Sequence, residues 1–347
     1  MGDCRRRFNI SETVIETFHV VMQSHANPLG ILHGGNLIRW LVDAASLTAS
    51  RVVRGYAVLA GIDFVYLGDP VRVGETLATY SWAGYTGRSS VEVGVSAYAI
   101  SRDGESFEVR KVSAAHMTLV YVGGGPTSIT PRPHMSCVKP SDSEEEVLYE
   151  SSIRLREMRR GRLSKRKQYS NIKDPPTPLV EGYVIESHRI VNPVDSLAYN
   201  VMHAGSLLYL VDEVGGILAS KYSKGVVVTG YLGPADFYRP IYTGSILRLV
   251  GAISYVGSST IEVEIRSLTS LFGEGIEGIS SRSYVTYINL GWEGKPTPVR
   301  RSDSVDRVVM EESIERARER SEIIRSLEGG SLKIDPPPMY LERLAKL

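Results

Sequence analysis

The residues that could take part in chemistry are Asp212, Asn27 and two histidines, His33 and His203. A carboxylate such as that of Asp212 can act as a general base toward water, or it can attack an electrophile directly. Asn27 has no basic group, but its amide can position a water molecule or a carbonyl group. Asp212 stands in an apolar stretch of helical periodicity, which favours a buried, functional role over that of an ordinary solvent-facing carboxylate.

These residues belong to two copies of one pattern. Each residue of the first copy matches the residue that follows it in the second copy at the distance from His33 to His203. His33, in the run Asn-Pro-Leu-Gly-Ile-Leu-His-Gly-Gly, matches His203 in Asn-Val-Met-His-Ala-Gly. Further pairs at this spacing, the first offset, are Gly35/Gly205, Leu37/Leu207, Pro70/Pro240, Gly74/Gly244, Tyr85/Tyr255, Gly87/Gly257, Ser89/Ser259, Glu92/Glu262 and Val93/Val263. At the same offset Asn27 is matched by Leu197, and Asp212 by Val42. Because each copy keeps a polar residue that the other has lost, the pattern favours one composite site built from both copies.

Each copy has the periodicity of one strand, one apolar helix and four further strands. The predicted helices run from Gly35 to Val53 and from Gly205 to Tyr222, and each precedes a basic residue and a glycine that indicate a C-cap. The predicted strands are Thr13–Met22, Ala57–Val65, Thr76–Tyr85, Ser89–Ile100 and Glu108–Val122, then Tyr183–Val191, Val226–Phe237, Ser245–Tyr255, Thr260–Leu268 and Ser281–Leu290. This order predicts an α+β fold in which an antiparallel sheet wraps each apolar helix.

The duplication continues beyond the strands at a shorter spacing, the second offset, at which Ser141-Asp142-Ser143 matches Ser302-Asp303-Ser304. Each copy then has a charged helix, predicted over Glu144 to Arg160 and over Asp306 to Leu327. Such a helix either packs on the outer surface of its domain or is solvated without a partner. Pro175 to Pro178 are predicted to link the copies. The predicted domains are therefore residues 1–175 and 176–347, each with a charged helical extension.

Composition excludes several classes of protein. The 347 residues carry a formal net charge of +1, so no overall field favours nucleic acid or an anionic membrane. No apolar run has the length of a membrane span, and Arg5 to Arg7 lack the apolar run of a secretory signal. The two cysteines, Cys4 and Cys137, predict neither a metal site nor a disulfide framework, which fits a reducing cytosol. No set of Cys, His and carboxylate residues has metal-ligand spacing, so no metal or other cofactor is expected.

The run from Asn27 to Gly35 before an apolar helix, followed by Gly-Arg-Ser-Ser-Val-Glu-Val from Gly87 to Val93, resembles the hot-dog acyl-CoA thioesterases. Two such copies resemble the double hot-dog branch of that family. The resemblance covers about Glu16 to Val122 and Glu186 to Leu290. It implies tandem hot-dog repeats, each an antiparallel sheet wrapped around a long central helix. It also implies cytoplasmic hydrolysis of acyl-CoA to a free acid and CoA, in a homotrimer that contains six hot-dog units.

The resemblance also implies roles for individual residues. Asn27 of one unit and Asp212 of the other are the implied catalytic residues, acting on one thioester. The backbone N–H groups of Gly34 and Gly35, at the helix start, would hold the oxyanion. The implied substrate-binding residues are His33, Arg88, Ser89 and Ser90. The matched site, with Leu197 and Val42, lacks the polar atoms and would be inactive.

Several alternatives stay open from the sequence alone. Asn27 could simply stabilise a turn before Pro28. His33 occurs in both copies as His33 and His203, which favours a structural hydrogen bond near the helix start over general-base work. Asp43 comes ten residues after His33 rather than nine, which turns it about 100° around the helix. A non-hydrolytic acyl-CoA-binding or sensing protein is the alternative function, and a hydratase is a more distant one.

Overall fold

The computed structural model describes residues 4–103, 106–125, 128–134, 136–164, 176–270, 278–291, 294–302 and 304–344. The chain divides into two compact units, Met1–Leu163 with Leu332–Leu347, and Ser164–Ser331. The boundary predicted at residue 175 separates the two sequence repeats. It is not the boundary between the compact units, because the segment from Leu332 onward belongs to the first unit. Pro175 of the predicted linker lies outside the described residues.

The first unit is an antiparallel sheet wrapped around one helix, α1 (Gly34–Val53). Its strands are β2 (Ile15–Val20), β3 (Ala57–Leu67), β4 (Thr76–Thr86), β5 (Ser90–Asp103) and β6 (Ser106–Gly125), in the spatial order β2-β4-β5-β6-β3. A short strand, β7 (Ser128–Pro131), pairs with β6, and β1 (Arg6–Phe8) pairs in parallel with β8 (Ser136–Val138). Ser81 of β4 donates its hydroxyl to the carbonyl oxygen of Ala44, which ties the sheet to the buried face of α1.

The second unit repeats this arrangement around α3 (Ala204–Ser223). Its strands are β9 (Val184–Ile190), β10 (Val226–Phe237), β11 (Ile246–Val256), β12 (Thr260–Ser270) and β13 (Ile279–Leu290). They follow the order β9-β11-β12-β13-β10, with antiparallel neighbours throughout. Both units therefore confirm the predicted α+β fold, and their element bounds lie close to those predicted.

The central helices end at the predicted basic residues, but the glycines that follow have a different use. Arg54 (φ 54°) and Lys224 (φ 56°) themselves adopt the left-handed conformation of the cap. A Cβ atom at Gly55 would lie 2.7 Å from the ring of Tyr121, and Gly225 is similarly crowded. These glycines are needed for close approach rather than for an unusual backbone angle.

The charged helices pack on the outer face of each sheet, the face opposite the central helix. They are α2 (Ser143–Ser164) and α4 (Arg307–Glu328). Leu148 and Leu155 of α2 are buried, and the approach of Ser152 leaves no room for a Cβ atom at Gly84 of β4. Of the two predicted arrangements, the packed helix is the one observed. The last helix, α5 (Pro338–Leu344), packs in the first unit, where Tyr340 donates its hydroxyl to the carbonyl oxygen of Ser11.

Cys4 and Cys137 form a disulfide in the first unit, with Cα atoms 5.8 Å apart. The prediction that the two cysteines form no disulfide is therefore wrong. They are 133 residues apart in sequence and come together because β1 and β8 pair. Sequence spacing could not reveal a contact that depends on this strand pairing. No helix within the described residues has the length and apolarity needed to cross a membrane.

Candidate active site

Asp212 lies on the buried side of α3 and is 2% exposed. The hydroxyl of Thr229, on β10, donates a hydrogen bond of 2.7 Å to Asp212 Oδ1. The hydroxyl of Tyr287, on β13, donates one of 2.8 Å to the backbone carbonyl oxygen of the same aspartate. Thr229 and Tyr287 face each other across the β10–β13 ladder. Two neighbouring strands therefore supply one hydroxyl each to a single helical residue.

The environment keeps the Tyr287 phenol protonated. Burial raises the pKa of Tyr287 well above its usual value, and the charge of Asp212 and hydrogen bonding to it add to the shift. A phenol that stays protonated remains a hydrogen-bond donor across the pH range in which a carboxylate titrates. The ring fits because α3 has glycines beside it: a Cβ atom at Gly215 would clash with the Tyr287 hydroxyl.

The first unit has no equivalent of this polar group. Val42 takes the place of Asp212, and Leu59 takes the place of Thr229 at the same offset. Leu59 pairs with Leu119 in the β3–β6 ladder, as Thr229 pairs with Tyr287 in the second unit. These three apolar side chains are buried. The position that holds a carboxylate and two hydroxyls in the second unit is therefore purely apolar in the first.

Asn27 lies in the loop before α1 and is half-buried. Its side-chain Oδ1 accepts hydrogen bonds from the backbone N–H groups of Leu29 at 2.9 Å and of Ile31 at 3.4 Å. The backbone N–H of Asn27 donates to the carbonyl oxygen of Ile31, and that of Gly30 donates to the carbonyl oxygen of Asn27. The carboxamide oxygen thus stabilises a turn, as one of the sequence interpretations expected. Its amide NH2 makes no hydrogen bond to the residues that the structure describes, and this group is the one that a substrate could use.

The start of α1 is organised by His33. Its Nδ1 accepts a hydrogen bond of 3.1 Å from the backbone N–H of Gly35, which makes His33 the helix N-cap. Among the described residues, the N–H of Gly34, the first residue of the helix, has no hydrogen-bond acceptor. His203 occupies the matching N-cap of α3 but makes no such side-chain bond. Of the two predicted oxyanion donors, the N–H of Gly34 is thus available to a substrate, whereas the N–H of Gly35 donates to His33.

The other candidate carboxylate, Asp43, lies one residue beyond the position that matches Asp212, and it is half-buried. Burial lowers the pKa of His19, and the charge of nearby Asp43 opposes that shift. Glu213, which matches Asp43 in the second unit, accepts a hydrogen bond of 3.0 Å from the Tyr209 hydroxyl. Both residues therefore lie beside polar neighbours.

Arg88 and Ser89 lie in the turn between β4 and β5, and Ser90 is the first residue of β5. Arg88 is exposed, and its carbonyl oxygen accepts from the backbone N–H of His134 at 3.0 Å. The carbonyl oxygen of Ser89 accepts from the N–H of Tyr121, and that of Ser90 accepts from the N–H of Gly87. The turn is therefore fixed by backbone bonds, which leaves the guanidinium of Arg88 at the surface.

Sequence reasoning missed a second buried polar cluster, beneath α2. Arg159 donates to Asp63 Oδ2 and to Glu92 Oε2, the latter at 2.6 Å. The Nδ1 of His116 lies 2.8 Å from Asp63 Oδ2, and Thr118 donates to Glu92 Oε2 at 2.7 Å. By distance, Asp63, Glu92 and His116 could hold a metal ion. However, the guanidinium of Arg159 already bonds to both carboxylates, and that of Arg156 lies 3.5 Å from Glu92 Oε1, so the cluster serves to anchor α2.

The second unit anchors α4 in the same way. Arg320 donates to Glu262 Oε2 at 3.1 Å and to the hydroxyl of Thr286 at 2.9 Å, and Arg316 donates to Glu262 Oε1. Glu262 matches Glu92 at the first offset, and Arg320 matches Arg159 at the second. The sequence contains both matched pairs, Glu92/Glu262 and Arg159/Arg320, but it does not show that the glutamate of each unit contacts the arginine.

An antiparallel sheet wrapped around a central helix defines each unit as a hot-dog domain, and the chain is a tandem hot-dog protein. The sequence matches the thioesterase superfamily over residues 29–104 and 199–268, one region in each unit. The two matched regions contain α1 and α3 with most of the strands that follow them.

Similar proteins include a cytosolic acyl coenzyme A thioester hydrolase of Mus musculus, 25% identical over 297 residues, which cover 81% of this chain and 75% of that protein. Among solved structures, an acyl-CoA hydrolase from Bacillus cereus is 26% identical, with a TM-score of 0.43, and covers 47% of this chain and 96% of its own. An acyl-CoA hydrolase from Staphylococcus aureus, in complex with butyryl coenzyme A, coenzyme A and coenzyme A disulfide, is 24% identical, with a TM-score of 0.41, and covers 47% of this chain and 94% of its own.

Proposed function

We propose that this protein hydrolyses acyl-CoA to a free carboxylic acid and CoA. The observation that carries the proposal is the buried carboxylate of Asp212, on the largely apolar helix α3, held by the hydroxyl of Thr229 on β10. A carboxylate that is removed from solvent and kept in one orientation is suited to act as a base or as a nucleophile. The acyl-CoA thioester hydrolase of Mus musculus, which resembles most of this chain, supports the choice of substrate.

The proposed chemistry has two parts. Asp212 activates a water molecule, or attacks the thioester carbonyl carbon to give an anhydride that water then cleaves; CoA leaves as the thiol in both routes. The negative charge that develops on the carbonyl oxygen is stabilised by the N–H groups of Gly34 and Gly35 at the positive end of α1. In this mechanism Gly35 must exchange its bond with His33 for one with the substrate, whereas Gly34 is open.

The remaining roles are assigned from two observations: each repeat keeps a polar residue that the other lacks, and the run Gly87 to Val93 resembles acyl-CoA thioesterases. We propose that Asn27 serves the same thioester as Asp212 and positions the water or the carbonyl group through its amide NH2. His33 contributes to substrate binding by setting the start of α1. Arg88, Ser89 and Ser90 contact the pantetheine arm of CoA. The site that would combine Leu197 with Val42 is inactive, since neither residue can donate or accept a proton.

We further propose a homotrimer, that is, six hot-dog units, that works in the cytoplasm and needs no cofactor. The cytoplasmic location is suggested by the cytosolic relatives of mouse, rat and human. The cysteines do not add to this part of the proposal, because they form a disulfide.

The test is release of CoA from a series of acyl-CoA substrates, detected with a thiol reagent and the purified full-length chain. Thiol release with saturation kinetics supports hydrolysis, and the series gives the preferred acyl length. Tight binding of acyl-CoA without thiol release would instead identify a binding or sensing protein. Consumption of an enoyl-CoA double bond without thiol release would identify a hydratase. Either of the last two results would overturn the proposed function.

A further inference from the structure

We infer that Tyr287 is a positioning residue for hydrolysis: through its hydroxyl it fixes the turn of α3 that carries Asp212. The inference rests on the proposed function of Asp212. It concerns a residue on the strand opposite the helix, outside both regions that match the thioesterase superfamily. The geometry is a phenol, 1% exposed, whose Oη lies 2.8 Å from the Asp212 carbonyl oxygen.

Two adjacent glycines in α3 point to a selected fit rather than an accidental contact. Gly215 and Gly216 lie inside the helix, where glycine is disfavoured because it gives up the most backbone freedom. A Cβ atom at Gly215 would clash with the Tyr287 hydroxyl and lie 3.0 Å from the ring carbon Cζ, while one at Gly216 would lie 3.6 Å from Cε1. The helix therefore has its least favourable residues at the place where the phenol passes.

The first repeat provides the comparison within the same chain. At the first offset, Ala45 and Ser46 replace the two glycines. In the strand register, Leu119 takes the place of Tyr287, and Val42 replaces Asp212 in the helix. The tyrosine and the glycines that accommodate it are thus present where the carboxylate is present, and absent where it is absent.

The hydrogen bond is also not needed to complete the helix. A carbonyl oxygen in the middle of an α-helix accepts from the N–H group four residues ahead. The Tyr287 hydroxyl therefore adds a further bond to Asp212, while the Thr229 hydroxyl holds Oδ1 of the carboxylate at 2.7 Å. One hydroxyl fixes the backbone of the catalytic residue and the other fixes its side chain. The high pKa of Tyr287, caused by burial and by Asp212, keeps this donor protonated.

The experiment compares Tyr287→Phe with Tyr284→Phe in the full-length protein. Tyr284 is a matched control: it is a buried tyrosine of the same strand, and its ring lies under the guanidinium groups of Arg282 and Arg316 at 5.0 and 4.0 Å. Tyr287→Phe should lower kcat about threefold to tenfold, the equivalent of one ordinary hydrogen bond, with KM little changed. Tyr284→Phe should change neither quantity.

A second variant guards against simple misfolding. The double change Gly215→Ala with Tyr287→Leu reproduces the Ala45 and Leu119 pair of the first repeat, which is fully buried there. It should unfold at a temperature close to that of the wild type and yet lose at least as much kcat as Tyr287→Phe. Wild-type kcat in either variant would overturn the inference and leave the proposed function intact. An inactive wild-type protein would overturn the proposed function and the inference with it.

Discussion

Replacement of Asp212 by Asn tests the central chemical claim, because it removes the base and keeps the volume. The amide oxygen of Asn can still accept the bond that Thr229 donates to Oδ1 at 2.7 Å. The backbone bond from Tyr287 does not involve the side chain and should persist. Loss of the negative charge weakens one charge-assisted bond and also removes the cost of burying that charge. The two effects oppose each other, so the free energy of unfolding should change by no more than about 1 kcal/mol.

The expected effect on rate is much larger. Loss of a positioned base typically lowers kcat by about 10²–10⁴-fold. At about 1.36 kcal/mol for each factor of ten, this corresponds to roughly 2.7–5.4 kcal/mol of activation free energy. The assay is CoA release under saturating acyl-CoA, combined with thermal unfolding of the same preparations. The rate effect exceeds the stability effect several-fold, so the two readouts separate a catalytic role from a structural one.

Two controls and a double mutant complete the test. Asp43→Asn and Glu213→Gln change half-buried carboxylates of α1 and α3 and should leave kcat nearly unchanged. Asn27→Ala should cost about 1–3 kcal/mol of transition-state stabilisation if it leaves a polar partner unpaired. Combined with Asp212→Asn, its effect should be much less than additive, because residues that act as one unit share their loss. Near-normal turnover by Asp212→Asn would refute the assignment, and fully additive losses would refute a shared site.

Three further predictions can be measured, two from the structure and one from the proposed trimer. Arg159→Met removes the guanidinium that bonds to both buried carboxylates, Asp63 and Glu92, so it should lower the free energy of unfolding by about 3–5 kcal/mol in a denaturant titration. The exposed Arg160→Met should not. Burial alone would raise the pKa of Glu264, but the guanidinium groups of Arg282 and Arg266 outweigh burial and hold the pKa below 4.5. The stability that this group contributes should therefore be complete at neutral pH and be lost as the pH falls below 4.5. Glu264→Gln should make the free energy of unfolding less dependent on pH in this range. Light scattering should give three times the chain mass of 38.2 kDa, and a monomer at micromolar concentration would contradict the trimer.

Much of the fold could be predicted because the hydrophobic pattern repeats. The predicted strand Val226–Phe237 has the same bounds as β10, and the predicted helix Gly35–Val53 differs from α1 by one residue. Local patterns fix such elements, since the period of apolar residues is set by helix and strand geometry. The Cys4–Cys137 disulfide escaped prediction for the opposite reason. It depends on two three-residue strands, too short to leave a periodic signal, that meet only in the folded unit.

The candidate site was predicted in part for a related reason. Asp212 and Asn27 stand out because each is matched by an apolar residue in the other copy. Thr229 and Tyr287 lie on strands, where Thr and Tyr are ordinary residues, so their identity carried no signal. Only the register of β10 against β13 shows that they meet at one aspartate. Comparison with the Leu59–Leu119 pair of the first repeat then shows that this meeting point differs between the units.

The contact between the outer helix and the sheet shows what the duplication preserves. Arg159 reaches Glu92 across 67 residues of sequence, whereas Arg320 reaches Glu262 across 58. The difference between these two separations equals the difference between the first and second offsets, so it lies entirely in the chain between the strand and the helix. The segment between the glutamate and the arginine differs in length between the units, but the contact between these two residues is kept. The buried glutamate and its arginine therefore fix where the outer helix packs in each unit, whatever the length of the chain that joins them.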